Sequence, residues 1–132
     1  MGKDRLIGER RKMKIHKISQ NNMITEIDSD LFQGSGCNDS TDQPKINEFA
    51  NIMRYSGWDS FPPIKGKISE VLESEFNDYK DAEEGGYEHE LDYSRALNKS
   101  DVGTLIARIS DGHNRAYAAR ACGIPIKINI IQ

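Results

Sequence analysis

Five consecutive residues, Asp111-Gly112-His113-Asn114-Arg115, bring an acid, a glycine, an imidazole, an amide and a guanidinium into one short stretch. These are parts that phosphoryl chemistry uses. His113 can carry a proton near neutral pH, and Asp111 could orient it or hold a divalent ion. Arg115 offers a fork of donors matched to phosphate oxygens. Gly112 permits a left-handed backbone and the close approach of a ligand. A plain helix cap would account for Asp111, and a surface ion pair for Arg115, but five polar functional types in one turn exceed what capping requires.

The flanking sequence dictates how such a turn is positioned. Thr104–Ile109 is short, apolar and β-prone, which predicts a buried strand. Asn114–Cys122 is Ala-rich, with Gly123 as a helix stop and Pro125 just beyond. Ile124, Ile126, Ile128 and Ile130 then alternate with Pro125, Lys127 and Asn129, the period of a half-buried strand. The polar turn therefore lies between a strand and a helix. Unpaired N–H groups and the positive dipole end at a helix start favour an anion, and Gly112, His113, Asn114 and Arg115 are the candidate phosphate-binding residues. Upstream, Pro62–Ile68 reads as an extended strand entered through prolines, on which Lys65 and Lys67 share a face and could reach a phosphate; solvated lysines are the plainer alternative.

The Asp-Gly-His-Asn-Arg turn, the Ala-Tyr-Ala-Ala-Arg-Ala-Cys-Gly-Ile-Pro run and the final strand together resemble the signature of the ParB/sulfiredoxin superfamily. So does the upstream order of Ile46–Met53, Gly57 and Phe61-Pro62-Pro63-Ile64. The resemblance covers about 14–131, with the middle unmatched. It implies a single α+β domain with a small mixed sheet and packed helices, the Pro-led strand lying beside the phosphate turn. Sulfinic-acid reduction does not carry over, because His113 stands where that chemistry needs a cysteine.

Two activities remain from the resemblance. One is a ParB-like nuclease, with Asp111, His113 and Arg115 catalytic, a divalent metal such as Mg or Mn as its ion, and nucleic acid as substrate. The other is a domain that binds and hydrolyses a nucleoside triphosphate (ATP or CTP) or transfers its phosphate, with Glu48 as a distant base. A non-enzymatic nucleotide-sensing or interaction module is a third reading. ParB-like folds also occur as tips of bacterial toxins. That implies delivery as part of a larger exported protein, a cytoplasmic site of action and an immunity-type (antitoxin) protein partner.

The 132 residues support one domain with a modest core; 36% are hydrophobic and 30% charged, at a net charge of −3. That balance argues against a protein that coats nucleic acid nonspecifically. The charge is uneven, however. Residues 1–13 form a basic arm or segment boundary, with Gly8-Glu9-Arg10-Arg11 echoing a ParB turn in the wrong context. Residues 14–132 form the domain, and an acidic insertion spans about 69–101. Two cysteines are too few to argue for a disulfide scaffold, and the lack of a Cys/His ligand spacing argues against a structural zinc site. No apolar run is long enough to cross a membrane.

The remaining elements are read coarsely. Lys14–Ile18 is a strand, 20–27 shows no clear period, and 33–42 is a loop. Pro44–Tyr55 is a helix burying Ile46, Phe49, Ala50 and Met53. Trp58 and Cys122 are packing residues. Val71, Leu72, Phe76 and Tyr79 suit a helix to about Ala82, and 87–99 has no assignment. Glu88, His89, Glu90 and Asp92 read as a solvated charge run in preference to a metal site. An insertion of this length is often a lid or a partner surface.

Overall fold

A computed structural model describes residues 15–19, 24–34 and 41–130. The basic arm, its Gly8–Arg11 turn, Cys37 and most of the 33–42 loop lie outside them. Six strands form one mixed sheet: β1 (Ile15–Ser19), β2 (Ile24–Ile27), β3 (Phe32–Gln33), β4 (Ile64–Glu70), β5 (Leu105–Asp111) and β6 (Ile126–Ile130). Their spatial order is β1-β2-β6-β4-β5-β3. The pairs β1·β2, β2·β6 and β4·β5 are antiparallel, and β4·β6 and β3·β5 are parallel. The α+β class and the strand–turn–helix–strand order of the C-terminal region match the sequence reading.

Among the described residues three α-helices accompany the sheet: α1 (Gln43–Ser56), α2 (Glu73–Gly85) and α3 (His113–Cys122). Asp42 caps α1 by accepting from the Lys45 N–H at 3.4 Å, Pro44 occupies its first turn, and Gly57 ends it at φ 64°. Ile46, Ala50 and Met53 form its buried stripe, and Ala116, Ala118 and Ala119 that of α3. The alanines let α3 approach the sheet closely. Both helices pack with Ile64, Ala107, Ile109, Ile126 and Ile128 into one core, where Trp58 is also buried, its indole N–H donating to the Pro62 carbonyl. The Cys122 thiol reaches the Ala50 carbonyl at 3.2 Å and serves packing.

Successive strand residues face opposite sides of a sheet, so Ile106 points away from Ala107 and Ile109 into a second core. Leu31, Val71, Tyr79, Leu97 and Ile106 make that core. The acidic segment 69–101 is therefore not only a solvated excursion: α2 and the turns Glu88–Leu91 and Lys99–Asp101 cover the second face of the sheet beside β5. Several details differ from the sequence reading. The helix expected to bury Val71 and Leu72 begins only at Glu73: Val71 is buried in a bridge to Val102, and Leu72 is half exposed at the helix start. Gln33, read as the start of a loop, ends β3. Ile24–Ile27 is a strand whose Thr25 and Ile27 are buried, a pattern that a buried threonine hides. The final strand before the turn extends through Ser110 and Asp111.

Candidate functional site

The turn is built by β5 and α3. β5 runs to Asp111, Gly112 takes φ 103° and ψ 30°, and α3 begins at His113, one residue earlier than its alanine pattern suggests. A side chain at 112 would be strained, and its Cβ would come within 2.5 Å of Ile64 Cγ2 and 2.8 Å of Arg115 Nη2. Gly112, the N-cap residue of α3, has no side chain with which to cap it. The sheet brings Lys65 of β4 into register with Asp111, across a bulge between Lys65 and Gly66, and Ser110 Oγ donates to the Lys65 carbonyl at 3.1 Å. Lys67 pairs in register with Arg108. Lys65 and Lys67 are both exposed.

The other expected site residues are placed less simply. Arg115 turns back under Gly112: its Nη1 donates to the carbonyls of Pro62 at 2.8 Å and Pro63 at 3.3 Å, and its Nη2 lies 3.4 Å from Asp111 Oδ2. Three of its contacts are thus internal, and its side chain is only 15% exposed. Its fork holds the turn against the strand-entry prolines instead of standing open for a phosphate. Asp111 is 67% exposed and leans on Arg115. Asn114 Oδ1 accepts from the Asp42 N–H at 2.9 Å, joining the starts of α1 and α3. Glu48 is exposed and lies about 200° around α1 from the buried Ile46.

His113 is 8% exposed, and its ring is turned inward. Its environment includes a group that the linear motif does not contain. A Cβ built on Gly34, at the end of β3, would collide with Asp92 Oδ2 and stand 3.0 Å from His113 Cδ2, so both side chains lie against this glycine. The Gly34 N–H donates to the Asp92 carbonyl at 2.9 Å. Asp92 adopts φ 59° and ψ 39°, the one non-glycine positive φ among the described residues. One turn along α3, Tyr117 packs edge-to-face on Phe32 with ring centroids 4.9 Å apart. Burial, with the nearby Asp92 charge adding to it, holds the Tyr117 phenol above its ordinary value. Gly34 and Tyr117 do not stand out as site residues in the sequence; Asp92 stands there in a charge run weighed against a metal site. Its left-handed conformation is the sole local signal, and it is invisible without coordinates.

Between the N-terminal half of α1 and the face of α3 lies a hollow of about 450 Å³, lined by Asp30, Gln43, Ile46, Tyr117, Arg120 and Ala121. A smaller one of about 230 Å³ shares Asp30 and Arg120 with it and extends past Asp28 and Ser29 to the end of α3. Among the described residues, no three His, Cys, Asp or Glu side chains group as a metal site, and no helix is long and apolar enough to cross a membrane. Comparison with protein-family models, with curated proteins and with solved structures returns no match.

Proposed function

We propose that this domain binds phosphate esters at the start of α3 and cleaves phosphodiesters there, as a ParB-like nuclease. The observation that carries the reading is the βα turn: a glycine at φ 103° stands at the N-cap of a helix, with Lys65 in register beside it. Such a turn offers N–H donors and positive potential to a phosphoryl oxygen. Lys65 adds a mobile charge, and Lys67 a second one along the same strand. Arg115 keeps the turn closed and contributes positive charge from behind it. His113 is the proton carrier, taking a proton from the attacking water or giving one to the leaving oxygen. The carboxylates near the turn, Asp92 and Asp111, sit on different sides of it, so no step is assigned to the Mg or Mn ion that the resemblance implies. The toxin role and an immunity-type partner belong to the same proposal and rest on that resemblance.

The hollow beside Tyr117 favours a second reading. At about 450 Å³ it falls in the range of small-ligand sites, and it lies between the start of α1 and the later turns of α3. A nucleoside triphosphate (ATP or CTP) with its phosphates at Gly112 would use it.

The test compares wild type with His113→Gln on plasmid DNA, total RNA and nucleoside triphosphates, with Mg or Mn and with EDTA. Nucleic-acid cleavage that falls roughly 10²–10⁴-fold in the variant is the expected outcome. Triphosphate turnover without nicking selects the second reading. Neither activity in a folded wild type refutes both.

A further inference from the structure

We infer that the substrate is single-stranded nucleic acid whose backbone runs from the turn along the open half of the second sheet face, over Lys65 and then Lys67. The inference rests on the phosphate-binding reading of the turn and adds the path and the kind of strand. Side chains alternate along β4: Ile64 and Gly66 are buried, Lys65 and Lys67 exposed. Lys67 lies directly opposite Arg108, so both lysines share the face of the sheet that Arg108 occupies. That face is divided. Beside β5 it is covered by α2, where Arg108 is engaged by both Glu75 oxygens at 2.7 and 2.9 Å. On the other side of β4 lies β6, whose exposed Asn129 stands in register beside Lys65. Further along β6, Lys127 is drawn to Glu26 and Asp59 at 4.0 and 3.8 Å. No hydrogen bond or ion pair engages the ammonium group of Lys65 or Lys67 among the described residues, which leaves them as one row of free cations. Two strand steps set their Cα atoms roughly 6.7 Å apart, close to the phosphate spacing of an extended nucleic-acid strand. Lys65 is in register with Asp111, so the row ends at the turn, and the Asp111 carboxylate there leans on Arg115. A single row of cations suits one backbone; a duplex would bring a second backbone that finds none. The strands β2, β4 and β6 carry no aromatic residue, so no base stacks on this face and sequence preference is weak.

The test is the salt dependence of binding, read by fluorescence anisotropy of a short labelled oligothymidylate in EDTA, where no cleavage is needed. Lys65→Gln and Lys67→Gln are each expected to make the log–log salt slope shallower by about 0.7, and the double variant by about 1.4. Lys80→Gln, on α2 and bonded to Glu83, leaves the slope unchanged. A mixed-sequence single strand is expected to bind as the oligothymidylate does, and a duplex of equal length more weakly. Wild-type slopes in folded Lys65→Gln and Lys67→Gln overturn the inference, even if the domain proves to be a nuclease. So does a duplex that binds more tightly than the single strand. Lysine-dependent binding by a protein that cleaves nothing in Mg or Mn upholds the track and defeats the nuclease reading alone. A folded wild type that binds no oligonucleotide at low salt defeats both.

Discussion

At the scale of single residues, the site is defined by backbone conformations as much as by side chains. Gly112 at φ 103° lies where an alanine is strained, and its missing Cβ leaves room for Ile64 and for the returning Arg115 guanidinium. Gly112→Ala is therefore expected to cost about 1–3 kcal/mol in urea unfolding, and to weaken phosphate binding by tilting the start of α3. Gly66 poses a harder constraint. Its missing Cβ would collide with the Arg108 backbone carbonyl, which cannot move without breaking the β4·β5 ladder. Gly66→Ala is expected to leave little folded protein in a soluble-fraction assay. Composition alone did not distinguish these two glycines from the exposed Gly86.

At the scale of elements, one cluster ties α2 to the sheet. Arg108 of β5 donates to both Glu75 oxygens at 2.7 and 2.9 Å, to Gln33 Oε1 at 2.8 Å and to the Glu70 carbonyl at 2.8 Å. Glu75 also accepts from the Leu72 N–H and the Tyr93 hydroxyl. Burial by itself would raise the Glu75 carboxyl, but the Arg108 pair and these donors hold it below its ordinary value of 4.5. A carboxyl lowered in the folded state contributes stability that is fully present above the unfolded value and is lost as pH falls through the folded one. Glu75→Gln is thus expected to lose about 1.5–3 kcal/mol at neutral pH, and the gap to wild type should close below about pH 4.5. Urea unfolding at a series of pH values measures both limbs. An equal deficit at pH 7 and pH 3 would mean that the pair contributes through shape and not charge.

At the scale of the whole molecule, the acidic segment serves as a structural layer. Val71 and Thr104 are already joined by a backbone hydrogen bond at 2.9 Å, and Gly103 returns one to Val71 at 2.8 Å, so residues 73–101 leave and rejoin the sheet at neighbouring points. A short linker in their place would leave a compact topology on paper. It would also uncover Leu31, Val71 and Ile106, each worth about 1.5–3 kcal/mol when buried. The expected outcome is a protein that binds a hydrophobic dye and unfolds far below the wild-type temperature; a stable, dye-silent deletion would restore the segment to a mere lid. The C-terminal strand–turn–helix–strand unit and α1 were legible in the residues, because their signals are local: alternation at Ile126 and Ile128, the glycine stop at Gly123, the spacing of Ile46, Ala50 and Met53 behind Pro44. The polar turn was legible as a cluster, and its place between β5 and α3 followed from the same local rules. What the sequence could not determine was the partner of each polar group. Arg115 is bound by prolines more than fifty positions away, and His113 lies against Gly34 from the end of another strand. Hydrogen bonds and burial depend on proximity in space, and only the packing of distant segments around β5 creates that proximity.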